Sequence, residues 1–293
     1  MAGTSADDAR GERSMAERSR AEAPRPHRYR APEAATPRPM SMLWLAVALF
    51  AAFVLMAVAV AVNPEAPFTP GRDNWWRGVI GQSPDDTLYR GPVAMFFQDL
   101  GQIPGAILTI IVIPLLLLIF GRWRSALFFL SALLLGPLVL SQVTKNLVDR
   151  PRPAFDEAAG LYGPLFTVDH GSFPSGHAVT AGALAIAVAA LIPPARQALR
   201  TVWWVVAALL MLGMMWQRTL INAHWLSDAF FGLVAGVVGT LVMWWAFWPL
   251  LRADYGRPVW FLRRSRAEAS NAPTDEPAAA GMPAAGGTPR RKQ

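Results

Sequence analysis

The sequence predicts an all-α integral membrane protein, a polytopic bundle of six transmembrane helices between disordered N- and C-terminal tails. Three observations lead there. Hydrophobic residues fill 53% of the 293 positions and charged residues only 16%. Six apolar runs approach the roughly 20 residues that cross a bilayer. Both ends of the chain turn instead to Arg, Ala, Pro, Gly and acidic residues, which bury too little apolar surface to offset the entropy of an ordered chain.

Residues 1–40 precede the first run and lack the short charged segment and cleavage site of a signal sequence. Met42–Val62, the first run, carries no charged residue. Residues 63–102 read as a long external loop, with Trp75, Trp76, Phe96 and Phe97 suited to the headgroup layer. Within it "PVAMFFQDLGQIPG" suits a short interfacial helix. Ile103–Phe120 is the second run. Ala126–Leu140, Ala178–Ile192 and Val202–Trp216 follow, each short enough to need a turn from its flanks. Ala229–Leu251 is the sixth. The membrane domain therefore spans 41–252, with cytoplasmic tails at 1–40 and 253–293. The chain has no internal repeat and no cysteine, which excludes disulfides and thiolate metal sites.

A net charge of +7 raises nucleic acid as a partner, but its placement argues against one. Threading six spans with the N-terminus inside gathers 20 of the 27 Lys and Arg residues on one face, as the positive-inside rule requires. Topology and contact with anionic lipid account for those charges.

The same threading puts three polar clusters at the outer face. "KNLVDRPRP" closes the third span, with Lys145, Arg150 and Arg152 stiffened by Pro151 and Pro153. "PSGH", Pro174 to His177, opens the fourth. There Ser175 suits an N-cap, Gly176 admits a ligand close to the backbone, and the helix N-terminus offers free N–H groups to an anion. "RTLINAHWLSD", Arg218 to Asp228, joins the fifth and sixth, and places His224 and Asp228 one helical turn apart. A carboxylate at that spacing can orient an imidazole and leave its other nitrogen free as base or nucleophile. Singly, each cluster has a plainer reading: snorkelling cations, an ordinary cap, a structural His–Asp pair. Together they put three cations, a helix N-terminus and two histidines at one end of the spans, where polar groups are costly and usually functional. A metal site has too few ligands, since only His177 and His224 are available among repelling cations. The combination suits an anion, and phosphate best.

Lys145-x6-Arg152-Pro153, Pro174-Ser175-Gly176-His177 and Arg218-x5-His224-x3-Asp228 resemble the three signature motifs of the type 2 phosphatidic acid phosphatase family, related to vanadium haloperoxidases and bacterial acid phosphatases. The resemblance covers about residues 43–251. It departs at Gln217, where the family usually has Ser; the amide retains a hydrogen-bond donor. The resemblance implies that His224 attacks phosphorus to form a phosphohistidine while Asp228 holds its ring. It implies that His177 protonates the leaving oxygen and then activates water. Lys145, Arg152 and Arg218, with Ser175 and the Gly176 amide, would bind the phosphate oxygens, with no metal or cofactor. Arg150 and His170 fall off the motif spacing and are expected outside direct contact.

The expected substrate is a lipid phosphate or diphosphate, of the phosphatidic acid, phosphatidylglycerol phosphate or undecaprenyl diphosphate class, met at the extracytoplasmic side. A lipid phosphotransferase using the same phosphohistidine is the alternative enzyme. A silent scaffold or a lipid transporter fits less well, because the span interiors lack the midplane charges of a transporter.

Overall fold

The computed structural model describes residues 37–80, 87–166 and 171–255. The bulk of both expected tails, and His170, lie outside these described residues. Among them the fold is all-helical, with no strand beyond one isolated bridge between Asp156 and Leu161. The helices are α1 (Met40–Val62), α2 (Pro70–Ile80), α3 (Pro92–Leu100), α4 (Ile103–Ile119), α5 (Trp123–Leu147), α6 (Gly176–Leu191), α7 (Gln197–Leu220) and α8 (Leu226–Asp254).

Each of the six apolar runs falls in one of these helices, but they are not six equal spans. By length and composition α1, α5, α7 and α8 can each cross a membrane alone. The pair α3 and α4, bent by 52° at Gly101–Gln102, makes a fifth candidate. Helix α6 has 16 residues, about 24 Å at 1.5 Å per residue, short of the roughly 30 Å hydrocarbon core. Its shortness is offset by burial: Ala, Val and Gly positions along its whole length are covered by neighbouring helices.

Small residues make that burial possible. A Cβ on Gly182 would lie 2.4 Å from the Leu233 carbonyl oxygen, and one on Gly236 would lie 2.0 Å from that of Val179. Helices α6 and α8 therefore run backbone against backbone. Lipid tails give no hydrophobic drive between helices, so such close packing is what holds the pair together. Away from the motif end, Phe128, Phe129 and Leu133 of α5 fill the space beside Ala183 and Ala187 of α6 and Leu241 and Trp244 of α8.

The consequence lies at the helix ends. Helices α6 and α8 both begin at the end of the bundle where α5 finishes, and the Ser175 N–H donates to the Asp228 carbonyl at 3.1 Å. Helix α5 arrives through a π-helical turn, Leu135–Ser141, around Gly136 and Pro137. Proline removes a ladder donor there, and π turns of this kind often border functional sites. Three segments distant in sequence thus share one end.

Candidate active site

A cavity of about 570 Å³ opens at that end. Lys145, Arg152, Gly176, His177, Arg218 and His224 all line it, so one cavity is shared by all three motifs. Asp228 stands behind His224, and Ser175 is buried at the N-cap of α6.

His224 is 5% exposed. Its Nδ1 lies 2.7 Å from the Ser172 carbonyl oxygen, an acceptor only, so Nδ1 carries the proton. Nε2 then keeps its lone pair, and an Arg152 guanidinium N–H approaches it at 3.4 Å. Burial first, and then Arg152, Lys145, Arg218 and His177, hold the imidazole well below its ordinary pKa of 6.5. Burial and the surrounding cations thus favour the neutral ring, with the Nε2 lone pair free.

Asp228 does not touch the ring directly: its Oδ2 is 3.9 Å from Nδ1. The Ser172 hydroxyl stands between them, donating to Asp228 Oδ2 and lying 3.5 Å from Nδ1. The direct holder of the imidazole is thus the Ser172 carbonyl, with Asp228 one group behind. Asp228, 0% exposed, also accepts the Trp225 N–H at 3.0 Å, which caps α8.

Arg150 explains how this carboxylate stays buried. Only 2% exposed, it donates to Asp228 Oδ1 at 2.5 Å, to Ser227 Oγ at 2.8 Å and to Asp73 Oδ2 at 2.9 Å. Asp73, on α2, accepts the Ser227 N–H at 2.8 Å and the Ser227 hydroxyl at 2.7 Å. Two carboxylates thereby satisfy the start of α8 while one guanidinium lies between them. Arg150 is not among the residues that line the cavity and holds Asp228, the carboxylate behind His224.

The three remaining cations are braced from behind. Lys145 Nζ donates to the Gly171 carbonyl at 3.1 Å. Arg152 donates to the Ala223 carbonyl, and burial lowers its pKa despite the pull of Asp228. Arg218 Nε donates to Gln217 Oε1 at 2.7 Å, and its Nη2 to Gln98 Oε1. Gln217 in turn donates to Gln98 at 3.2 Å. Gln217 therefore orients Arg218 instead of facing the cavity.

Gln98 and Gly101 come from the segment expected as an interfacial helix. That segment folds as helix α3 up to Leu100, and its Phe97 ring occupies the space a side chain at Gly213 of α7 would need. Gly101 lies against the His177 ring, where a Cβ would fall 1.9 Å from Cδ2. His177 Nε2, Ser175 Oγ and Ser141 Oγ are all buried with no partner among the described residues. Ser175 occupies the N-cap position without making a side-chain cap bond. Orphaned polar groups converging beside a helix N-terminus are what a bound oxyanion would satisfy.

Sequence reasoning missed Ser172, Gln98, Gly101, Ser141 and Asp73. Ser172 had only its place inside "HGSFPSGH" to mark it. Asp73 and Gln98 lie on α2 and α3, in the stretch that reads as an external loop, with no pattern tying them to the motifs. Among the described residues, no group of three or more His, Cys, Asp or Glu side chains is placed to hold a metal ion.

Comparison with known proteins points one way. Residues 125–252 match the model of the PAP2 superfamily. The chain is 32% identical over 123 residues to a lipid A 1-phosphatase of Rhizobium etli, covering 40% of this chain and 48% of the relative. It is 31% identical over 121 residues to a lipid A 1-phosphatase of Rhizobium johnstonii, covering 40% and 46%. The chain thus spans about half the length of the curated relatives it matches. The crystal structure of a PAP2-type phosphatidylglycerolphosphate phosphatase from Bacillus subtilis superposes with a TM-score of 0.54 and 21% identity, over 68% of this chain and 93% of that one. The fold is shared with it.

Proposed function

Because residues 125–252 match the PAP2 superfamily, we propose that this chain is an integral membrane phosphatase that hydrolyses a lipid phosphate or diphosphate through a phosphohistidine. The observation that carries the reading is the neutral His224 Nε2 facing a cavity shared with Lys145, Arg152 and Arg218. Nε2 attacks phosphorus, the bond to the leaving oxygen breaks, and His177 delivers the proton that oxygen needs. Water then attacks the phosphohistidine, giving its proton to His177, and inorganic phosphate leaves with His224 restored. The three cations and the Gly176 amide stabilise the charge on the non-bridging oxygens, where phosphoryl transfer needs it.

The chain crosses the bilayer six times, with α6 as the short fourth span and the cavity at the extracytoplasmic face. Support comes from the arginines gathered at the opposite end of the bundle and from the apolar surface of α1, α4 and α7. A cavity at the headgroup level is reached by lipids, and the substrate class extends to the 1-phosphate of a lipid A-like saccharide lipid, given the relatives.

The test offers purified protein a panel of phosphatidic acid, phosphatidylglycerol phosphate, undecaprenyl diphosphate, lipid A and a soluble phosphomonoester, and measures phosphate release. Release from one lipid class well above the soluble ester is expected. No release from any of them sinks the proposal.

Two further outcomes follow from the geometry. The cations occupy the role Mg²⁺ fills in other phosphoryl-transfer sites, so release should be unchanged after EDTA treatment; activity restored only by an added divalent ion overturns that part. Gly101→Ala should push the His177 ring aside and reduce turnover about 10²-fold, with an unchanged circular dichroism spectrum. Wild-type turnover in this variant would show that His177 does not need its present position.

A further inference from the structure

At the end of the bundle opposite the cavity lies a second groove, of about 790 Å³. Helices α6 and α8 form its floor, while Leu45 of α1 and Trp204 of α7 stand on its walls. Trp244 and Trp248 line it, and the indole N–H of each is buried with no partner among the described residues. Trp244 is only 7% exposed. Arg200 and Arg252 stand at its mouth. Tyr255 lines the groove with them, and its hydroxyl donates to the Ala190 carbonyl. Arg252 stacks on Trp248 at 5.5 Å from the ring centroid, and Arg200 donates one N–H to the Ile192 carbonyl at 3.3 Å.

Charge selects the occupant. Among the described residues this end carries Arg38, Arg122, Arg124, Arg196, Arg200 and Arg252 against a single acid, Asp254. Asp254 is turned inward, accepting the Ser125 N–H at 3.2 Å and the Ser125 hydroxyl at 3.0 Å. A ligand here must be anionic at the mouth and apolar below it, with acceptors at the depth of the indoles. We propose that the groove holds one anionic glycerophospholipid of the surrounding bilayer. Its phosphate lies between Arg200 and Arg252, its ester oxygens within reach of the indole N–H groups, and one acyl chain along Leu45, Trp204 and Leu241. Basic pockets between membrane helices recognise headgroups in this way, and indoles favour the boundary between chain and headgroup. The site is separate from the phosphate cavity, and its existence does not depend on what that cavity hydrolyses.

Native mass spectrometry of the full chain, with phosphatidylglycerol or phosphatidylcholine of identical acyl chains, tests this. Wild-type protein should retain one phosphatidylglycerol at least about fivefold more than phosphatidylcholine. The double variant Arg200→Gln/Arg252→Gln should lose that preference, and Lys145→Ala, altered only at the distant cavity, should keep it. Leu45→Trp, which narrows the groove with both arginines in place, should lower retention and serves if the double variant fails to fold. Equal retention of the two lipids by wild-type protein overturns the proposal. So does a preference that survives both groove variants, or one lost in Lys145→Ala alone, which would place the lipid in the catalytic cavity.

Discussion

His224→Ala is expected to reduce phosphate release by about 10⁴-fold or more, in the range seen when a covalent nucleophile is removed from an otherwise intact site. The reason is chemical rather than structural. With Nδ1 committed to the Ser172 carbonyl, Nε2 keeps its lone pair on an uncharged ring that lines the cavity. His177 cannot take over, because its ring is fixed against Gly101 on the α6 side of the cavity. The truncated protein loses one hydrogen bond of about 1 kcal/mol and should still purify and unfold cooperatively. Radiolabelled lipid phosphate, quenched during turnover, should leave an acid-labile label on wild-type protein and none on the variant. Residual turnover above a few per cent, or a label that persists in the variant, would remove the phosphohistidine from the mechanism. The low pKa adds a pH signature: protonation of the nucleophile, and the loss of rate it causes, should come below pH 6.5.

Arg150→Met should produce the largest loss of stability of any single change at this end of the bundle. The guanidinium lies between Asp73 and Asp228, which are 2% and 0% exposed. Methionine fills much of the same volume but leaves two buried carboxylates facing each other uncompensated. Breaking a buried pair from one side costs about 3–5 kcal/mol, so the melting temperature should fall on the order of 10 °C. Asp73→Asn added to Arg150→Met removes one of the stranded charges and should recover part of the loss, because residues in one network do not add independently. A drop of no more than a degree or two in the single variant would mean that the packing of α6 on α8, and not this network, holds the motif end together. The activity consequence follows from position: Asp228 backs the Ser172 hydroxyl, so any shift in it reaches His224.

The candidate site was legible to different depths. Lys145, Arg152, His177, Arg218 and His224 were each marked by residue types that are expensive at a span end and have no packing reason to be there, and all of them line one cavity. Asp228 was marked by its four-residue spacing from His224, but His224 precedes α8, which begins at Leu226, so the two share no helix face and approach only to 3.9 Å. Spacing does not decide hydrogen bonds, however, and a serine 52 positions upstream of His224 came between them. Gln217 shows the same limit: it stands next to Arg218 in sequence, yet its use as a brace depends on Gln98, 119 positions away. The span count illustrates another. Apolar runs found six of the eight described helices and passed over α2 and α3, and α6 looked like the others in composition, so only its neighbours reveal a short helix sheathed by protein.

By itself, then, the sequence determined that the chain is helical and membrane-embedded, where its apolar runs lie, and which charged and imidazole groups an anion would meet. Those are local properties, set by transfer energies and by spacing along one helix. Only the tertiary structure decided which atom of His224 is free, that Ser172 and not Asp228 holds it, that Asp73 and Gln98 belong to the site, and that a cationic groove exists at the far end. Each of these rests on a contact between helices far apart in sequence, made possible by the glycine-lined approach of α6 to α8. Hydrogen-bond partners are chosen by that packing, and a linear pattern carries no record of it.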